Sequence, residues 1–91
     1  MFIDVIDWDD ADDPSGNVQH IAEHDVTVDE VEEILSDHQG MPDESESSGK
    51  KIVFGWTSTG KHLAVVFSVE DDPELIIVRP VTAYPVPEYG D

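Results

Sequence analysis

The chain has 91 residues, 22 Asp and Glu against 4 Lys and Arg, and a formal net charge of −18; its basic residues, Lys50, Lys51, Lys61 and Arg79, all lie in the second half. The stretch from Asp4 to Glu46 thus presents carboxylates with no Lys or Arg beside them, which repels phosphate backbones, because nucleic-acid affinity comes largely from Lys and Arg displacing condensed counterions. The length allows one core, the lack of cysteine excludes a disulfide framework and a thiolate metal site, and no apolar run approaches membrane-spanning length.

A single domain over residues 1–91 is expected, with the cytoplasm as its compartment, since neither end shows a basic region followed by an apolar run. The acidity has two readings. It steers a basic protein partner toward the chain, or it keeps the surface soluble in a salty cytoplasm.

Taken in chain order, residues 1–8 alternate in part, with Phe2, Ile6 and Trp8 on one side and Ile3 and Val5 on the other, as a strand buried on both faces does. The Asp-rich run after Trp8 ends it. Asp13 before Pro14 is a helix entry, because proline loses nothing at the first helical position, and Val18, Ile21 and Ala22 give an apolar stripe for a helix over 15–24. A second helix over 28–37 is better specified. Thr27 and Glu30 form a Thr-x-x-Glu capping box, flanked by Val26 and Val31 at the staple positions. Val28, Val31, Ile34 and Leu35 make its core stripe, with Asp29, Glu32 and Glu33 turned to water.

Residues 38–50, with Gly40, Pro42, Gly49 and several serines, read as a polar loop. Three strands follow over 51–57, 62–69 and 75–81. Their connections are too short for a parallel crossover, so they form an antiparallel meander. Pro80, Pro85 and Pro87 deny the tail a regular helix, so 82–91 is expected to be irregular. The expected fold is α+β, ordered β-α-α-β-β-β, with two helices packed on an antiparallel sheet.

Several motif-like runs fail on context. The run from Gly55 through Gly60 and Lys61 nearly spells a phosphate-binding loop, but His62 stands where a magnesium-binding hydroxyl belongs and the run joins two strands. It reads as a hairpin turn closed by Gly60. His20, Glu23 and His24 match the His-x-x-Glu-His pattern, with both imidazoles on one helical face; a third ligand and a cleft are lacking, so no metal or cofactor is expected. The run from Asp7 to Asp13 lacks the glycine and the closing glutamate of a calcium loop.

What remains is a metal-independent set: His20, His24, His62, Lys50, Lys51, Lys61, Arg79 and Tyr84. Cleaving a phosphodiester through its 2′-hydroxyl needs a base, a cation for the phosphorane charge and an acid for the leaving oxygen. These residue types supply all three.

The run from His20 to Leu35 with its capping box, then Phe54, Gly55, Thr57, Gly60, Leu63, Val65 and Val66, then Arg79-Pro80-Val81-Thr82-Ala83-Tyr84, resembles the BrnT family of toxin-like proteins over residues 3–84. The resemblance implies a RelE-like domain, and a metal-independent ribonuclease held inactive by an antitoxin encoded beside it. Arg79 matches the arginine such proteins carry at the end of the last strand, and His24 the histidine closing the first helix. Asp25 stands where glycine usually turns the chain.

Two functions follow. The first is a type II toxin-like endoribonuclease in which Arg79 and Lys61 stabilise the phosphorane and His24 or His62 exchanges protons, with RNA as substrate and a cognate antitoxin as partner. The second is a non-catalytic descendant of the same fold that binds a basic protein through its acidic helices.

Overall fold

A computed structural model of the chain describes residues 3–37, 43–44, 50–70 and 72–86. Strand β1 spans Val5–Ile6, helix α1 Asn17–Ala22, helix α2 Val28–Asp37, β2 Asp43–Glu44, β3 Lys51–Trp56, β4 His62–Val69 and β5 Ile77–Pro85. The strands form one sheet in the order β1-β5-β4-β3-β2. The fold is α+β, and residues of both helices share a single core with the sheet, built on Ile21, Val26, Val31, Ile34 and Leu35 against Val53, Leu63, Val65, Phe67, Val78 and Ala83.

The second helix occupies the span expected from its cap. Thr27 N donates to Glu30 Oε1 at 3.0 Å and Glu30 N to Thr27 Oγ1 at 3.2 Å, so two donors at the helix start are satisfied reciprocally. Val26 and Val31 on either side of the cap are buried. Glu32 and Glu33 do not simply face water: Glu32 Oε2 accepts from Trp8 Nε1 at 2.9 Å, and Glu33 Oε2 from Ser58 N at 2.9 Å.

The first helix is shorter than expected, because Gly16 and not the Asp13-Pro14 pair is its N-cap. It ends in a paired closure: Val26 N donates to Ile21 O at 3.1 Å and Asp25 N to Ala22 O at 3.0 Å. Asp25 takes φ 63° there, the left-handed conformation that glycine adopts with least strain.

The meander of β3, β4 and β5 is antiparallel, but the sheet as a whole is mixed. Strand β1 pairs parallel with β5, Val5 against Ile77 and Ile6 against Val78. It is also only two residues long, against an expected 1–8, of which Met1 and Phe2 lie outside the described residues. Within the expected loop 38–50, Asp43–Glu44 pairs antiparallel with β3; residues 38–42 and 45–49 lie outside the described residues.

The last strand begins later and runs further than expected, so residues 82–85 are strand and not tail. Proline is tolerated in it for positional reasons. Val66 faces Thr82 while Phe67 faces Pro80, which makes Val81 the extra residue of a bulge, a place where the missing N–H of Pro80 disturbs little. Beyond the bulge Ala83 is fully buried, and Val86 N donates to His62 O at 2.8 Å. Residues 87–91 lie outside the described residues.

The run from Gly55 to Lys61 is a hairpin turn. Thr57 N donates to Lys61 O at 2.8 Å and Gly60 N to Thr57 O at 3.0 Å, with Gly60 at φ 90°. Among the described residues no helix is long and apolar enough to cross a membrane.

Candidate functional site

Asn17 ties three segments together. It is the first residue of α1 and is buried; its Nδ2 donates to Pro80 O at 2.9 Å and to Asp7 O at 3.1 Å, while its Oδ1 accepts from Asp9 N at 2.9 Å. Asp9 answers by accepting Asn17 N on Oδ2 at 2.9 Å. That bond caps the helix from outside it, which Gly16, with no side-chain cap of its own, does not. Glycine is required for the approach, since a Cβ at position 16 would lie 2.7 Å from Asp9 Cβ.

The same carboxylate grips Arg79. Arg79 Nη1 donates to Asp9 Oδ1 at 3.1 Å and Nη2 to Asp9 Oδ2 at 2.8 Å, a bidentate pair, and Asp7 Oδ2 lies 3.6 Å from Nη1. The Arg79 guanidinium, helped by the Asn17 amide, holds the Asp9 carboxyl below its ordinary range. In return, Asp9 raises the affinity of Arg79 for its proton.

Beside this pair opens a cleft of about 330 Å³ lined by Ser15, Gly16, Asn17, His20, Arg79, Pro80 and Val81. The His20 ring meets the His24 ring edge-on, centroids 5.5 Å apart, and His24 in turn meets the Tyr84 ring at 6.4 Å. Arg79 and His20 thus share the cleft, and ring contacts lead from His20 to His24, just past α1, and on to Tyr84 of β5. Both histidines are exposed.

Of the expected site residues, Arg79 and His20 share the cleft, while His24 and Tyr84 lie outside its lining and connect to His20 through ring contacts. Lys61 and His62 stand elsewhere. Lys61 Nζ donates to Asp25 O at 2.6 Å and to Glu30 Oε1 at 3.1 Å, which pins the β3–β4 hairpin to the turn between the helices. Burial alone would discourage ionisation of Glu30, but the Thr27 amide and Lys61 outweigh it and hold the carboxyl below its ordinary range. His62 lies flat on Trp56, centroids 4.5 Å apart and planes 8° from parallel. Lys50 precedes β3, and Lys51 is its first residue.

Asn17 and Asp9 were not singled out from the sequence. The signal was there: Asn17 is one turn before Ile21, on the apolar stripe of α1, and a polar residue in that position has a partner to find.

Among the described residues no group of three or more His, Cys, Asp or Glu side chains is placed to hold a metal ion. No family model, no curated protein and no solved structure matches this chain.

Proposed function

We propose that this chain is a cytoplasmic, toxin-like protein of a type II toxin–antitoxin pair, whose cleft beside Arg79 cleaves RNA without a metal ion. The observation that supports it is the meeting of Arg79 and His20 in one cleft, with His24 against His20 and Tyr84 against His24, on residues that carry the resemblance to the BrnT family. In the reaction a histidine takes the proton of a 2′-hydroxyl, the 2′-oxygen bonds to the adjacent phosphorus, and the bond from phosphorus to the 5′-oxygen breaks. A second histidine or Tyr84 returns a proton to that oxygen, leaving a 2′,3′-cyclic phosphate and a 5′-hydroxyl. Arg79 stabilises the phosphorane charge through donors beyond the two that Asp9 engages, since a guanidinium has five. Lys61 is assigned to holding the hairpin.

A second reading is favoured by the clasp on Arg79. A cation held bidentate by one carboxylate with another nearby suits a non-catalytic module that binds a basic protein, an antitoxin included, through its acidic surface. Induced expression in a heterologous bacterium separates the two. Growth arrest with loss of bulk mRNA, abolished by Arg79→Ala, is expected for the ribonuclease; normal growth with intact mRNA contradicts it.

A further inference from the structure

Two carboxylates from one short stretch of chain reach Arg79. Asp9 takes Nη1 and Nη2 at 3.1 and 2.8 Å, and Asp7 Oδ2 lies 3.6 Å from Nη1. Their arrangement follows from alternation along an extended segment: Ile6 and Trp8 pack against the core, and Asp7 and Asp9 share the other side. Trp8 is further held by Glu32, so the acids are presented from an anchored backbone.

Arg79 borders the open cleft as well as the acids. Its side chain is 38% exposed, and it is the one Lys or Arg among the described residues lining the cleft, a lining that includes neither Asp7 nor Asp9. Two negative charges therefore stand against one positive charge at the point where an anion has to bind.

We infer that Asp7 and Asp9 form an autoinhibitory contact: they occupy Arg79 as an internal substitute for the phosphate anion and hold the cleft in a state of low affinity for it. This rests on the reading of the cleft as a phosphodiester site, and it names what restrains that site. The guanidinium edge that grips a carboxylate through two parallel hydrogen bonds grips a phosphate in the same way. An entering phosphate has to displace Asp9 or use the remaining donors, and in either case it meets both carboxylates. Tethering favours the acids, because a group held at its site competes at an effective concentration of about millimolar or more.

Substitution separates this contact from the structural role of Asp9. Asp9 Oδ2 accepts the Asn17 amide, while Oδ1 accepts only from Arg79 among the bonds described above. Asparagine at position 9 keeps an oxygen for Asn17 and turns an NH2 toward Nη1, donor against donor. The clasp is lost and the helix contact stays.

The test is calorimetric titration of the full chain with inorganic phosphate at neutral pH and low NaCl, beside cleavage of a synthetic RNA. The proteins are the wild type, Asp7→Asn, Asp9→Asn, Asp10→Asn and Asp9→Asn with Arg79→Ala, each checked by a thermal melt. Asp9→Asn is expected to bind phosphate about fivefold or more tightly than the wild type, and Asp7→Asn about twofold. Asp10→Asn removes the same charge from the same run and is expected to stay near the wild type, and adding Arg79→Ala should abolish the gain. If Asp9→Asn does not melt cooperatively, Asp7→Asn against Asp10→Asn carries the comparison. Equal affinity in the wild type and the folded Asp7 and Asp9 variants overturns the inference, as does an equal gain in Asp10→Asn or no phosphate binding by any protein. Tighter phosphate binding without RNA cleavage by any folded protein upholds the contact and contradicts the ribonuclease. Cleavage by the wild type with no gain in either variant does the reverse.

Discussion

Asp9 and Arg79, 70 residues apart in the chain, meet edge to edge through two hydrogen bonds of 3.1 and 2.8 Å. The Asp9 oxygen nearer Arg79 also takes the first amide of α1 at 2.9 Å. One carboxylate therefore fixes the N-terminal segment, the start of a helix and a strand, and with them the cleft.

This clasp makes stability depend on pH with a definite sign. Arg79 and the Asn17 amide depress the Asp9 carboxyl, and Glu30 is depressed on balance despite its burial. A carboxyl depressed in the folded state contributes fully above its unfolded value, near about 4, and the contribution is lost as pH falls through the lower folded value. Urea melts of wild type and Asp9→Asn from neutral to acid pH should differ most at neutrality and converge as pH falls through the lowered Asp9 value. Curves that stay parallel mean that Asp9 contributes nothing through its charge.

Asp25 offers a gain. Its backbone sits at φ 63°, so Asp25→Gly removes strain of about 1 kcal/mol and one carboxylate from an acidic surface. The melting temperature is expected to rise by roughly 4–8 °C for a domain this size. An unchanged or lower value places the strain elsewhere.

Gly16→Ala should act in the opposite direction. Its Cβ would lie 2.7 Å from Asp9 Cβ, so the Asp9 segment must move and loosen its hold on both Asn17 and Arg79. A loss of about 1–3 kcal/mol is expected in urea melts, the range for overpacking a tight site. A neutral result would mean the segment gives way freely.

The sequence was most legible where structure is local. The Thr27–Glu30 box fixed the start of α2 and the hairpin closed at Gly60, because cap and turn chemistry lies within a few residues. Partners far apart in the chain left no such mark. Nothing near Val5 announces Ile77 as its parallel neighbour, and the prolines of β5 argued for a tail because its bulge at Val81 is a tertiary feature. The site divided in the same way: Arg79, His24 and Tyr84 stood out by chemical type, whereas Asp9 and Asn17 resembled one acid and one amide among many. Lys61 and His62 had the right chemistry, but β4 and its turn hold them at Glu30 and Trp56.

Added NaCl should stabilise the fold. The stretch from Asp4 to Glu46 contains no Lys or Arg, and the ion pairs of Lys61 with Glu30 and of Arg79 with Asp7 and Asp9 engage three of its many carboxylates. Screening at about 3 Å in 1 M salt relieves the remaining repulsion, so the melting temperature is expected to rise between low and high NaCl. A flat or falling trend would mean that the carboxylates are too dispersed to repel.

Cleavage of a synthetic single-stranded RNA by purified protein in the presence of EDTA is the decisive measurement, run with wild type, Arg79→Ala, His20→Ala, His24→Ala, His62→Ala and Lys61→Ala. The wild type is expected to yield 2′,3′-cyclic phosphate ends. Arg79→Ala and at least one of His20→Ala and His24→Ala should lose on the order of 10²-fold or more in rate, while His62→Ala retains activity and Lys61→Ala loses it only in proportion to its loss of fold. No cleavage by the folded wild type, or equal cleavage by all six proteins, contradicts a catalytic cleft at Arg79.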